Sequence, residues 1–181
     1  FDIAIIGGGI GGLTMAIQLA KLQYRVILFE KERYPFHKVC GEYISLESVD
    51  FLQSLGLPLE QMKLPVIKKL QVTAPDGTIL KTNLPLGGIG ISRYKIDNDL
   101  KNIALRESVT ILENCKVEDA VLENELFFIQ TTTGNFKSRV CCGSFGKRSN
   151  MEIKWKRSFI NKSANKLNDF VGFKYHIQTN F

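Results

Sequence analysis

The glycine run Gly7-Gly8-Gly9-Ile10-Gly11-Gly12 is the strongest constraint on how this chain folds. A short apolar run, DIAII at residues 2–6, leads into it, and residues 11–22 behind it place Leu13, Ala16, Ile17 and Ala20 at helical spacing. Residues 25–30, RVILFE, read as a second buried strand that ends on an acid. Strand, glycine turn, helix and strand in this order predict a βαβ unit with two parallel, fully buried strands.

The glycine spacing also carries chemistry. Gly7, Gly9 and Gly12 make a G-x-G-x-x-G pattern with Gly8 and Gly11 as extra glycines. The first glycine permits the tight turn, the second lets a pyrophosphate approach the backbone, and the third lets helix and strand pack closely. The pyrophosphate would sit on the positive end of the helix. Glu30, eighteen residues after Gly12, ends the second strand, where a carboxylate can bond both hydroxyls of an adenosine ribose. A carboxylate there repels a ribose 2′-phosphate, so the site suits NAD or FAD, and the βαβ unit alone does not choose between them.

Further along, residues 31–44 read as irregular, and Ser45 as the cap of a helix reaching about Leu55, stopped by Gly56 and Pro58. Residues 66–84 alternate around Asp76-Gly77, a two-residue hairpin signal. A short strand is expected at 89–92, a helix from Asp97, and short strands from Val109 to Val140 with turns near Asn124 and Gly134. Cys115, Cys141 and Cys142 read as strand residues, and FVGFKYHI at 170–177 reads as one more alternating strand. The pattern stops as this strand opens a new sheet, so a C-terminally incomplete protein is the expectation.

The net charge of +6 is local. Residues 1–145 balance, whereas Lys147, Arg148, Lys154, Lys156, Arg157, Lys162 and Lys166 face only Glu152 within 146–166. One such stretch does not make a nucleic-acid surface, and its aromatics, Trp155 and Phe159, are too few to stack bases. It reads first as a solvated face, and second as a peripheral membrane contact through attraction to anionic lipid. Four cysteines with no C-x-x-C pair or histidine cluster give neither a disulfide framework nor a metal site, which points to a cytoplasmic setting.

The N-terminal segment DIAIIGGGIGGLTMAIQLAKLQYRVILFEKE resembles the FAD-dependent oxidoreductases of the glutathione-reductase-like superfamily. Within them, KVCGEYIS, ISRYKIDNDL and GSFGKRSN resemble the cysteine-glycine, Arg-x-x-x-Asp-x-x-Leu and later glycine segments of geranylgeranyl reductases and their flavin monooxygenase-like relatives. The resemblance implies that Gly7, Gly8, Gly9, Ile10, Gly11 and Gly12 bind the FAD pyrophosphate and Glu30 the ribose. It places Lys31 and Arg33 on the adenine side, gives Arg93 a hold on the cofactor, and has Val117 meet the adenine through its backbone. Cys40 and Gly41 would lie near the flavin ring, with Cys40 a candidate proton donor and Lys38 the cation expected beside it; Glu42 and His37 are neighbouring donors that read as exposed. The pattern is broken at Phe145, where these relatives carry Asp, which weakens a role for this segment in binding a nicotinamide donor. The relatives' later Gly-Asp motif does not occur before Phe181.

The expected fold is α/β: a Rossmann-type FAD-binding domain formed by 1–65 and 89–150, with inserted antiparallel strands at 66–88 that begin, with 151–181, a substrate domain. The resemblance implies a geranylgeranyl reductase-like enzyme that reduces a double bond of a small hydrophobic substrate, with NAD(P)H as electron donor and no metal. Its alternatives are an FAD-dependent monooxygenase acting on a small organic substrate and a non-catalytic nucleotide-binding fragment.

Overall fold

A computed structural model describes residues 1–146, 150–155, 157, 172–175, 177 and 178. Its centre is a four-stranded parallel sheet in the order β10-β1-β2-β6, formed by β1 (Ile3–Ile6), β2 (Val26–Phe29), β6 (Thr110–Leu112) and β10 (Val140–Gly143). The registers Ile3↔Val26 and Ile3↔Val140 set the first two strands and the last side by side. All four parallel strands therefore deliver the loops that follow them to the same edge of the sheet, the carboxyl edge where α/β folds bind ligands.

Strand alternation splits the core in two. Ile3, Ile5, Val26 and Leu28 face one side, where they pack with Leu13 and Ile17 of α1 (Ile10–Lys21) and Ile96, Leu100 and Ile103 of α3 (Arg93–Arg106). Ala4, Ile6, Ile27 and Phe29 face the other, against the antiparallel meander β7 (Val117–Glu123), β8 (Leu126–Thr131) and β9 (Gly134–Ser138), and Met151 of the short α4 (Asn150–Lys154). Every residue of β1 and β2 is buried, as continuous apolar strands covered on both faces must be.

A second antiparallel sheet, β3-β5-β4, is formed by β3 (Tyr43–Ser45), β4 (Val66–Thr73) and β5 (Ile79–Gly90). Most of the β4–β5 hairpin is exposed, and only its base, Gly87 to Ile89, is buried.

Several local expectations need correction. The hairpin turn is not the two-residue Asp76-Gly77 type. Ala74 accepts a hydrogen bond from the Gly77 N–H at 3.0 Å and donates its own to Thr78 at 2.9 Å, closing a three-residue loop with Gly77 at φ +86°. Pro75 pre-sets the first turn position and favours this geometry. The helix expected from Asp97 starts at Arg93, because the Ser92 hydroxyl caps it by accepting the Lys95 N–H at 3.2 Å. Ser45 makes no side-chain cap; a 3-10 turn over Leu46–Ser48 precedes α2 (Val49–Ser54). The strand expected at 89–92 is the end of the long β5, which stops at Gly90. Cys115 lies between β6 and β7, buried but outside any strand, whereas Cys141 and Cys142 are in β10. The strand expected at 170–177 lies partly outside the described residues, and its residues 172–175 are not in a strand. Most of the basic stretch 146–166 also lies outside them.

Candidate dinucleotide-binding site

A cavity of about 1060 Å³ runs along the carboxyl edge of the parallel sheet. Gly7, Gly9 and Glu30 line it, with Arg93 and Lys38 close to Gly9, and so do Val117 and Met151.

The glycine turn has the geometry its spacing predicts. Gly7 has φ +106°, and a Cβ there would lie 2.5 Å from the Ser144 carbonyl oxygen, so the loop after β10 closes directly on it. A Cβ on Gly12 would lie 2.0 Å from the Gly7 carbonyl oxygen; only glycine lets the first turn of α1 sit this close to the strand end. At Gly9, the N-cap of α1, the nearest atoms to such a Cβ are Arg93 Nη2 at 3.7 Å and Lys38 Nζ at 3.9 Å. The space over Gly9 is therefore open and faced by two cations. The first N–H groups of α1 have no partners inside the helix, and the helix dipole adds partial positive charge there. This is a site for an anion.

The two cations are fixed by one carboxylate. Asp97, 1% exposed, accepts from Arg93 Nε and Nη2 at 2.8 Å each and pairs with Lys38 at 3.2 Å. Asp97 lies one turn beyond Arg93 on α3, so the Arg-x-x-x-Asp spacing in the sequence is an i,i+4 pair turned inward. Burial opposes the charge of Arg93, but the hydrogen bonds and charges of Asp97 and Cys40 outweigh it, and its pKa lies above the ordinary guanidinium value.

Glu30 is buried at the end of β2 and lines the cavity. Its Oε2 accepts the Gly8 N–H at 2.9 Å and its Oε1 accepts the Glu32 N–H at 3.1 Å. Its backbone carbonyl accepts the Cys115 N–H at 2.9 Å, which ties the segment leading into β7 to the end of β2. Each carboxylate oxygen retains a second lone pair, so the group can still accept from a diol.

The remaining expected residues fall in two groups. Lys31 and Val117 line the cavity, as do Cys115, Lys116, Glu118 and Lys154. Arg33 is exposed and is not among the lining residues. Gly8, Ile10, Gly11 and Gly12 build the turn from behind. Cys40, half-buried, and Gly41, exposed, also stand off the cavity wall. The cation at Cys40 is Arg93; Lys38, the sequence neighbour expected there, is committed to Asp97. His37 is exposed and stacks on Tyr94 at 4.7 Å. Glu42, expected to be exposed, is half-buried and accepts the Arg93 backbone N–H at 3.0 Å.

Sequence reasoning missed Tyr34. Its buried hydroxyl donates to the Gly8 carbonyl, while its backbone N–H donates to Glu113 at 2.9 Å. The Gly8 residue is thus held on both sides, N–H by Glu30 and carbonyl by Tyr34. A tyrosine beside a proline in an irregular segment gives no sign of this. Burial, with Glu30 nearby, pushes the Tyr34 phenol far above its usual range, so it stays a donor.

Residues 5–39 match the family model of the NAD(P)-binding Rossmann-like domain. An uncharacterised protein of Methanosarcina barkeri is 26% identical over 152 residues, covering 81% of this chain and 37% of that protein. Among solved structures, the myxobacterial chondrochloren halogenase CndH, an FAD-dependent halogenase, is similar with a TM-score of 0.69 and 25% identity, over 84% of this chain and 39% of that one. The halogenase PltM in complex with phloroglucinol and FAD is similar with a TM-score of 0.69 and 16% identity, over 86% of this chain and 36% of that one. The chain thus has the Rossmann-type fold of FAD-binding domains and spans well under half the length of these relatives.

Proposed function

We propose that the cavity holds FAD and that this chain supplies the dinucleotide-binding part of a flavin-dependent enzyme of the monooxygenase type, acting on a small organic substrate. The observation that carries the FAD reading is the buried Glu30 carboxylate, in one cavity with Arg93 and Lys38, which face Gly9 at the α1 N-terminus, and with the apolar Val117 and Met151. That set of groups suits the pyrophosphate, ribose and base of an adenine dinucleotide.

FAD, when bound, supplies the redox chemistry, accepting hydride and, once reduced, reacting with oxygen or an unsaturated carbon. The chain's own residues bind and orient. Glu30 accepts from the ribose hydroxyls, Arg93 and Lys38 offset the phosphate charge, and Asp97 keeps both cations in place. Tyr34 and Glu30 hold the glycine turn rigid, so little of it needs ordering on binding.

The oxygen-using reading has more support than the double-bond reduction expected from KVCGEYIS, because similar solved structures include flavin-dependent halogenases. In either case NAD(P)H serves as the electron donor, and the exposed β4–β5 hairpin begins the substrate domain.

The first test is a titration of FAD, FMN and ADP into the protein, followed by calorimetry. FAD and ADP bind, and FMN, which has no ribose diol for Glu30, binds more weakly. Glu30→Ala weakens FAD by about 1–3 kcal/mol, the scale of a lost charged hydrogen bond, and Glu30→Arg weakens it further. An unchanged FAD affinity in both variants contradicts the assignment. For the reaction, oxygen-coupled NAD(P)H consumption by the flavin-loaded enzyme supports the monooxygenase type, and anaerobic turnover on a prenyl substrate supports reduction.

A further inference from the structure

We infer that Phe145 selects the base of the bound dinucleotide, its ring forming with Met151 an apolar wall that takes an uncharged adenine. The inference rests on the FAD reading of the cavity and goes beyond it by assigning a residue that breaks the sequence pattern of the resembling flavoproteins.

The backbone at Phe145 is pinned to the site. The Ser144 N–H donates to the Ile6 carbonyl at 2.7 Å, and a Cβ on Gly7 would lie 2.8 Å from the Phe145 Cα. The ring is held as well. It meets Trp155 edge-on at 5.9 Å, and a Cβ on Gly143 would lie 2.7 Å from it. A ring clamped between a glycine and a tryptophan presents a defined apolar surface at little entropic cost.

The surroundings decide what that surface can take. Ile6, Phe29, Val117 and Met151 line the cavity and belong with Phe145 to one apolar cluster. Lys154, on the rim, is committed to the Glu118 carbonyl at 2.9 Å and to Asp119 at 3.2 Å. Phe145 therefore stands in an apolar stretch of the cavity wall, and a flat, neutral heteroaromatic ring fits against it without desolvating a charge. An aspartate at 145 would set a carboxylate in that apolar cluster in place of the ring.

The test uses Trp155, the only tryptophan of the sequence, as an internal reporter, with calorimetry beside it. ADP and FAD, added separately, change the Trp155 emission of the wild-type protein. Phe145→Asp weakens ADP and FAD in parallel by about tenfold, Phe145→Leu by about threefold, and Phe145→Tyr restores near wild-type affinity, the scale of one aromatic contact. FMN affinity is the same in all four proteins. ADP affinity unchanged in both the Asp and Leu variants overturns the inference while leaving FAD binding intact. A wild-type protein that binds neither FAD nor ADP overturns the FAD reading and this inference with it. Urea melts of each variant separate lost binding from lost folding, and Phe145→Leu, which keeps an apolar side chain, decides if Phe145→Asp is unfolded.

Discussion

Arg93 grips Asp97 through two parallel hydrogen bonds of 2.8 Å, and the same carboxylate draws Lys38 to 3.2 Å. Two cations from different segments are therefore set over Gly9 by one buried acid. Removing the acid leaves both charges partly buried and without their partner, a change that costs about 3–5 kcal/mol where such pairs are fully buried. Asp97→Ala should lower stability by about 3 kcal/mol, since Arg93 and Lys38 keep some water contact. Asp97→Asn should cost less and still weaken ADP, because a neutral amide holds two cations poorly. Urea melts and ADP calorimetry check both; equal ADP affinity in wild type and Asp97→Asn would remove Asp97 from the positioning network.

Gly12 and Gly9 should separate folding from binding. A methyl on Gly12 meets the Gly7 carbonyl oxygen at 2.0 Å, and backbone must move to admit it. Gly12→Ala should cost about 1–3 kcal/mol, the range for overpacking. A methyl on Gly9 meets nothing nearer than 3.7 Å, so Gly9→Ala should keep stability within about 0.5 kcal/mol. It fills the space beneath Arg93 and Lys38, however, and should weaken ADP strongly. Both variants losing stability equally would contradict this division of labour.

These contrasts mark what the residues disclose on their own. β1, the glycine turn, α1 and β2 were legible because buried strands, glycine spacing and a helical apolar face agree with one another over residues 2–30. Glu30 was legible from its place at a strand end. Asp97 reads as the start of a helical pattern; its pair with Arg93 one turn back fits that helix, whereas its second cation, Lys38, lies 59 residues away, where no local pattern reports it. Tyr34 was invisible for the same reason, since its hydroxyl finds Gly8 across 26 residues of chain. The three-residue hairpin loop was within reach, because Pro75 ahead of Asp76-Gly77 is itself a turn signal.

Cys141 predicts a pH dependence. Burial in β10, with Cys142 beside it, pushes its thiol from 9.0 up to about 11. The folded state then keeps a proton that the unfolded chain releases above its own pKa. The unfolded state binds fewer protons in this window, so stability is intact below about pH 9 and falls as pH rises towards about 11. Cys141→Ala should show a shallower fall than wild type in urea melts between those two values. Parallel curves for the two proteins would mean that Cys141 titrates as freely in the folded state as in the unfolded chain.

Cys40 is where the chemical and the packing roles part. The resemblance places it near the flavin ring, and a thiol there is a candidate proton donor. In the structure its Sγ accepts the Glu42 N–H at 3.5 Å and contacts Arg93, while the cavity wall is made by Phe36, His37 and Lys38 before it and Arg93 behind it. A general acid must come within hydrogen-bond reach of the atom it serves, and its removal then slows the reaction by about 10²-fold or more. A thiol spent on Arg93 and the Glu42 backbone acts instead by positioning the guanidinium. Cys40→Ser should therefore keep the rate of reduced-flavin reoxidation within about twofold of wild type, far short of general acid catalysis. It should also keep FAD affinity, since a serine hydroxyl can make the same two contacts. Cys40→Ala, which cannot, should weaken FAD while leaving the reoxidation rate of the bound flavin unchanged. Stopped-flow reoxidation at saturating FAD, with affinity measured separately, distinguishes the two roles. A Cys40→Ser enzyme that binds FAD normally and reoxidises about 10²-fold more slowly would return Cys40 to the reacting centre.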